Sequence, residues 1–382
     1  MKRRKEFLRF NILVAIAGTI TTHILAQNVI VHDLKGIKLE YPVFTHIDDS
    51  TFLVASSVSS INRNNGTTQN SISLRWIDTN GSSLQERNYF MEERTWPIAI
   101  NYQKEVSTIF LAVQSYSQVE GSRYELMRIS KEGTITWKYR AAGSGSVPSI
   151  GEKGGIIIFT LTNMDNQTLL VCLSGDGKEQ WDKPLEGYDG SIRNNTNVIE
   201  IGGTKIGILL QANKPSALQG AQSPYPSEYF WYVCDSVGTI ESKTQINSLG
   251  WIVALEWYNG ELNFIERIVD SESSLFASRF VLVTENKVRR DLFQMSSGLW
   301  YANIVLGNYL YTVFATNGKL RLICFDSSLK KVKEISIDEK YGKMNSFSLD
   351  RAKFDAIITI GLDTSGHATC KLLSLSEQDL HP

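Results

Sequence analysis

Few residues in this 382-residue chain have the types and spacing that chemistry needs. The stretch Leu-Ser-Gly-Asp-Gly-Lys-Glu-Gln-Trp, Leu173 to Trp181, sets Ser174 and Asp176 close together, as a calcium loop would. Calcium takes about six or more oxygen ligands, and no later acid completes the set. The acidic pairs Asp48-Asp49 and Glu92-Glu93 are the other candidates. A glycosidase needs two carboxylates across a pocket, and Asp48-Asp49 fits a turn before a strand instead. His32, His46, His367 and His381 share no ligand spacing, so no metal is expected. Cys172, Cys234, Cys324 and Cys370 each fall inside an apolar run and read as lone buried thiols. There is no GxSxG elbow, phosphate loop or HExxH motif.

The Leu173 stretch is better explained as one copy of a repeat. An apolar residue followed by Asp, Ser or Thr ends a strand-like run at Ile77-Asp78, Ile129-Ser130, Leu173-Ser174, Cys234-Asp235, Val283-Thr284, Phe325-Asp326 and Leu375-Ser376. Glycine follows three places on at Gly81, Gly133, Gly177 and Gly238. A short oxygen side chain starts a turn, and glycine takes the left-handed position that closes it with a bulge. Each copy is preceded by two apolar runs, such as STIFLAVQS after WPIAINY, and followed by another, such as TITWKYR. Four short strands every 40 to 60 residues, without helical periodicity, predict a β-propeller. The expected fold is all-β: a single seven-bladed propeller of four-stranded antiparallel blades. The blades are expected at about 40–90, 95–141, 146–186, 196–247, 250–295, 299–338 and 344–382. The last copy lacks room for a fourth strand and the chain begins with a spare one, so residues 28–39 should close the ring and remove the open edges.

Ser130-Lys-Glu-Gly133-Thr-Ile-Thr-Trp137 and Ser174-Gly-Asp-Gly177-Lys-Glu-Gln-Trp181 resemble the turn-Gly-x-x-x-Trp core of the quinoprotein-type (PQQ-like) propeller repeat, within the wider WD40-like class. That resemblance implies a structural Trp packed between blades. Quinone-dependent members have eight blades, a vicinal disulfide and a calcium site. This chain has no Cys-Cys pair, so no cofactor is expected.

A propeller binds ligands near the mouth of its channel, where the innermost strands begin. The residues there are Tyr41-Pro42, Trp96-Pro97, Trp251 and Trp300-Tyr301, with Arg94, Tyr188 and Arg193 nearby. Tyr41, Arg94, Trp96, Tyr188, Arg193, Trp251, Trp300 and Tyr301 are therefore the candidate ligand-binding residues, able to stack on a sugar or a peptide. The competing reading of the aromatics is packing between blades. Two polar insertions, 59–71 and 214–230 (with Tyr225 and Tyr229), are too long for tight hairpins and offer loop sites.

The N-terminus reads MKRRKEFLRF and then NILVAIAGTITTHILA, a basic segment before a short apolar one. It predicts an export signal, residues 1–26, cleaved near Ala26-Gln27, and a periplasmic or secreted propeller over 27–382. No other stretch is long and apolar enough to span a bilayer. Residues 1–26 hold five basic side chains against Glu6, so the net charge of −1 becomes −5 without them. A mildly acidic surface argues against nucleic acid as a partner. The expected role is an exported, non-enzymatic binding or assembly scaffold for a protein or polysaccharide ligand. The alternative is a carbohydrate-active enzyme, a glycoside hydrolase or lyase, on the same scaffold.

Overall fold

The computed structural model describes residues 30–34, 40–61, 68–151, 154–165, 167–185, 197–201, 205–212, 228–235, 237–258, 260–269, 278–285, 289–295, 300–306, 309–316, 319–326, 328–337, 344–350, 355–362 and 368–374, those of blade 7, most of blade 6 and scattered others by backbone alone. These form seven antiparallel sheets, the blades of a propeller. Blade 1 comprises Glu40–His46, Thr51–Ile61, Thr68–Asp78 and Ser83–Met91. Blade 2 comprises Arg94–Gln103, Thr108–Ser117, Gly121–Ser130 and Ile135–Ala142. In blade 3 the first strand is split into Ser144–Gly145 and Ser149–Ile150, followed by Ile156–Thr162, Thr168–Ser174 and Glu179–Pro184. Blade 4 runs through Asn197–Glu200, Lys205–Ala212, Glu228–Asp235 and Ile240–Ile246, and blade 5 through Trp251–Tyr258, Glu261–Val269, Ser278–Thr284 and Arg289–Met295. Blade 6 consists of Trp300–Leu306, Tyr309–Thr316, Lys319–Phe325 and Lys331–Ile337.

Blade 7 takes Met344–Asp350, Asp355–Leu362 and Ala368–Ser374 from the C-terminal end and its outer strand, Ile30–Leu34, from the other. Ile30 pairs with Ser374 and Leu34 with Cys370. The ring is thus closed by the N-terminal strand, as the sequence predicts. Residues 1–29, which include the expected export signal, lie outside the described residues.

Local pattern explains each strand's depth. The second strand of blade 2, Thr108–Ser117, is apolar and buried for most of its length. Its fourth strand, Ile135–Ala142, alternates half-buried and exposed residues with period two, as an outer strand with one covered face must. The first strands lie against one another around the channel: Glu40–His46 beside Arg94–Gln103, and Trp251–Tyr258 beside Trp300–Leu306.

The hydrophobic cores lie between blades. Ile72, Leu74 and Trp76 of blade 1 pack with Leu111, Val113 and Met127 of blade 2. Tyr124 and Leu126 pack with Phe159 and Val171 of blade 3. Cys172 and Cys234 are unpaired, buried and in one core between blades 3 and 4; burial pushes both thiols up to about 11. Among the described residues, the seams between blades 1 and 2, 2 and 3, and 3 and 4 are fastened at the turn between third and fourth strands. Gly81, Gly133, Gly177 and Gly238 all have φ between 76° and 88°, and each N–H donates to the carbonyl three residues back. The register shifts by one just before each of these turns. That is the bulged turn expected of the repeat. Asp78 and Asp235 each accept two backbone N–H bonds within their turns.

The turn glycine receives an aromatic side chain of the preceding blade. A Cβ on Gly177 would sit 2.6 Å from the Trp137 indole, and one on Gly238 2.3 Å from Trp181. Trp137 Nε1 and an Arg128 guanidinium N–H both donate to the Gly175 carbonyl, at 3.0 and 2.8 Å. Blade 1 lacks Trp on its fourth strand and uses Trp76 on its third, directly across from Gln85. A Cβ on Gly133 would lie 3.0 Å from Trp76, and Tyr89 donates to the Gly133 carbonyl at 2.9 Å. In blade 6 the glycine slot holds Leu329, at φ 56°, with its N–H on Asp326. The left-handed backbone costs a leucine about 1–2 kcal/mol. Burial of the side chain beside Phe325 and Ile323 offsets it.

Two outcomes are expected. Gly260 also has positive φ, 77°, but open space around its Cβ position. In urea titrations Gly260→Ala should cost about 1–2 kcal/mol for backbone strain alone. Gly177→Ala should cost about 3 kcal/mol, because the indole must also move. Equal costs would mean that the Trp–Gly contact contributes nothing. Burial also pushes the phenols of Tyr89, Tyr229 and Tyr232 up to about 12. Their unfolded value is about 10, so the stability they carry is complete below that pH and lost as pH rises toward 12. The ionisation of these three buried phenols should therefore accompany the loss of native tryptophan fluorescence in an alkaline titration and not precede it, which comparison with the Tyr89→Phe variant reads out.

Candidate functional site

Four antiparallel strands per blade return the chain to the same face of the ring each time. All first strands therefore begin on one face, and the links between second and third strands lie there too. The links between third and fourth strands, including the Gly-Asp-Gly turn at 175–177, lie on the opposite face. In that turn Asp176 accepts from the Ser174 hydroxyl and pairs with Lys178 Nζ at 2.9 Å. These bonds hold its carboxyl down at about 2. The Asp176 carboxylate is thus tied into its own hairpin. Asp48 likewise accepts from the Ser50 N–H and hydroxyl, which lowers its carboxyl, in the turn expected there.

The aromatic positions fall where first strands begin. Tyr41 lies near the start of Glu40–His46, Arg94 and Trp96 open Arg94–Gln103, Trp251 opens Trp251–Tyr258, and Trp300 and Tyr301 open Trp300–Leu306. Arg94 is exposed and Trp96 half-buried. Trp251 is half-buried with the Arg267 guanidinium 6.0 Å from its ring centre, from the paired strand. Trp96 and Trp251 stand three blades apart, and the fold puts them at equivalent places of their blades on one face. The side chains of Tyr41, Trp300 and Tyr301, and all of Tyr188 and Arg193, lie outside the described residues.

The two insertions are shorter than the sequence suggested. Blade 1's second and third strands pair out to Ile61 and Thr68, so strand covers much of 59–71. The segment 214–230 ends in strand at Glu228, and residues 213–227 lie outside the described residues. Tyr229 is not a loop aromatic. It is 1% exposed, and its hydroxyl accepts the Ile252 N–H at 3.0 Å, joining blade 4 to blade 5. The alternation of Glu228–Asp235, with Tyr229 and Trp231 turned inward, carried that information in the sequence.

The same face carries large exposed apolar side chains in three consecutive blades. They are Phe90 at the end of blade 1, Tyr116 and Val119 at the blade 2 hairpin, and Met164 at the blade 3 hairpin. Val119 is 93% exposed. The two hairpins meet, since a Cβ on Gly121 would lie 2.5 Å from the Met164 methyl.

Below that face the second strands turn polar. Ser56 and Ser57, Gln114 and Ser115, Thr160 and Thr162, Gln211 and Glu266 are all buried, in blades 1 to 5. Gln114 donates to the carbonyls of Arg123 and Gly143 and accepts from Gly145 N, stitching blade 2 to blade 3. Glu266 is fully buried, accepts from Leu249 N at 3.2 Å and pairs with Arg289.

Between blades 1 and 2, this polar layer opens into a cavity lined by Met91, Glu92, Glu93, Thr95, Ser115, Arg123, Glu125 and Arg140. Glu125 Oε1 pairs with Arg140 Nε at 3.0 Å, and its side chain is 6% exposed. Sequence reasoning noted Glu92-Glu93 but missed Glu125, Arg123 and Arg140. The signal was Glu125 itself, a charge facing the same seam as Met127 in the apolar run Tyr124 to Met127.

No family model matches this sequence, and no curated protein does. Solved structures match in shape. One is the β-propeller domain of the Trilobed protease from Pyrococcus furiosus, with TM-score 0.52, 8% identity, and 87% of this chain and 94% of that one covered. Another is Pyrococcus horikoshii acylaminoacyl peptidase, TM-score 0.50 and 10% identity, where the match covers 90% of this chain but 53% of the peptidase. A third is Drosophila Plexin A in complex with Semaphorin 1b, TM-score 0.52, 8% identity, covering 92% and 88%. At such identities the likeness establishes the propeller fold alone. Among the described residues no helix is long and apolar enough to cross a membrane.

Tyr229→Phe tests the corrected role of that side chain. It strands a buried N–H at Ile252, so chemical denaturation should show a loss of about 1–3 kcal/mol. An unchanged midpoint would mean that the Tyr229–Ile252 bond contributes nothing to joining blades 4 and 5.

Proposed function

We propose that this chain is an exported, non-enzymatic propeller that binds a protein or polymer ligand on the face where its first strands begin. The observation that carries the reading is the run of exposed Phe90, Tyr116, Val119 and Met164 across blades 1 to 3, flanked by Trp96 and Arg94. Exposed apolar side chains on one face with charged neighbours are the composition of an interaction surface. Export rests on the basic and apolar N-terminal segment. The turn-Gly-x-x-x-Trp sequences, with their indoles on the next blade's glycine, support assigning the blades to the quinoprotein-type repeat, without its cofactor. The plexin structure is that of a protein complex, and the peptidase and protease are named for catalysis, so fold alone leaves both classes open.

The second reading, a carbohydrate-active enzyme, is favoured by the carboxylates of Glu92, Glu93 and Glu125 at one cavity. Against it, Glu125 is tied to Arg140, and the cavity is about 10 Å³, far too small for a sugar ring.

The test is binding of the purified protein to a panel of glycans, cell-envelope polymers and envelope proteins, with Trp96→Ala, Tyr116→Ala and Trp251→Ala alongside. Binding should fall about tenfold in Trp96→Ala and Tyr116→Ala at unchanged melting temperature. Full binding in stable variants would move the site off this face. Chemical change in the bound polymer would select the enzyme.

A further inference from the structure

The seam cavity between blades 1 and 2 has a chemistry of its own. Two carboxylate oxygens there, Glu125 Oε2 and Glu93 Oε2, are buried and meet no donor from the protein. The other Glu125 oxygen is already held by Arg140. Arg123, the second guanidinium at the cavity, is paired with Glu120 at the rim. The two hydroxyls that line the space are acceptors for anything entering it. Thr95 Oγ1 spends its hydrogen on the Glu93 carbonyl at 2.9 Å, and Ser115 Oγ points its own at the Arg123 carbonyl at 3.4 Å. The cavity thus presents oxygen acceptors, two of them anionic, with no donor of its own aimed at those two.

Such a lining calls for a cation with several N–H donors. Size decides which one. A space of about 10 Å³ admits a group the size of one water. A guanidinium is a planar fork too broad for it, whereas an ammonium is a compact charge with three donors. A multivalent metal does not fit the donor set, because among the described residues no three His, Cys, Asp or Glu side chains are grouped to hold one.

We propose that this cavity is a subsite for a primary ammonium group, held by Glu93 and Glu125 with Thr95 and Ser115. The subsite opens on the face assigned above to ligand binding, but it stands without that reading, because it can be tested with a small amine alone. The ammonium belongs to a lysine side chain or to a free amine; the chemistry of recognition is the same.

The experiment is isothermal titration calorimetry of the full chain with methylammonium chloride, using tetramethylammonium chloride as a control with equal charge and no donors. Methylammonium should bind saturably and tetramethylammonium should not. Glu125→Gln and Glu93→Gln should each weaken methylammonium about tenfold or more, the scale of losing one charge-assisted hydrogen bond. Glu93→Gln leaves the Glu125–Arg140 pair intact, so the test survives if Glu125→Gln fails to fold. Nα-acetyl-lysine methylamide separates the two sources: tighter binding than methylammonium assigns the subsite to a protein partner's lysine, weaker binding to a free amine. Equal heats from methylammonium and tetramethylammonium, or unchanged affinity in both variants, would overturn the proposal and leave a cavity that holds water only. Methylammonium binding without any polymer or protein hit on the panel would remove the scaffold reading and keep this one.

Discussion

The contact on which the seams of blades 1 to 4 depend is an indole laid over the next blade's turn glycine. A blade is a small sheet that cannot bury its faces alone, so stability comes from the seams. At each of these seams the left-handed glycine removes the Cβ that would fend off Trp137 or Trp181. The same turn then offers a carbonyl, Gly175 or Gly133, to donors from the preceding blade. One short turn therefore sets the backbone reversal, the depth of the aromatic wedge and the spacing of two sheets. Because the turn recurs, the spacing recurs, and a closed ring follows. Closure falls to Ile30–Leu34, which covers the edge that Ala368–Ser374 would otherwise leave open.

Much of this was legible in the sequence, and the reasons are local. Alternating apolar runs report strands because the pleat has period two, and Gly three places after Asp or Ser reports the bulged turn because few other residues accept its φ. What escaped were substitutions that keep the geometry by another route. Trp76 fills the wedge of blade 1 from the third strand, so a motif that expects Trp four places after the glycine does not see it. Leu329 occupies a glycine position by trading backbone strain for burial, so the turn survives and its marker vanishes. Tyr229 reads as a loop residue because it follows a polar, turn-rich run, although its strand begins one residue earlier.

The site was less legible than the fold. The places where first strands begin were readable, since blade order fixes them, and the structure puts Arg94, Trp96 and Trp251 there. Which residues share a seam was not. Glu93 ends one blade, Glu125 lies in the middle of the next, and only the stacking of blades makes them neighbours. A single-strand pattern can flag Glu125 as a charge in an apolar run. It has no means of naming the partner across the seam.

The seams are also unequal from one face to the other, and this bears on where a ligand can act. Near the glycine turn the first seam is dry: Ile109 and Ile129 are fully buried beside the Trp76 wedge. Toward the opposite face the second strands of blades 1 to 5 each bury a serine, threonine, glutamine or glutamate. Apolar side chains of similar size would pack there at lower desolvation cost, since a buried polar group must find partners or lose stability. Some do find them, as Gln114 does with three backbone groups of neighbouring strands. Ser56 Oγ does not, and beside these strands the two glutamate oxygens of the first seam are likewise left without a partner in the protein. Stability is therefore concentrated at one face and relinquished at the other, and departures from good packing of this kind gather where a protein meets its ligand. At the first seam the Trp76 wedge holds the two blades together from below, so the polar upper part can stay incompletely satisfied without the blades shifting to close it.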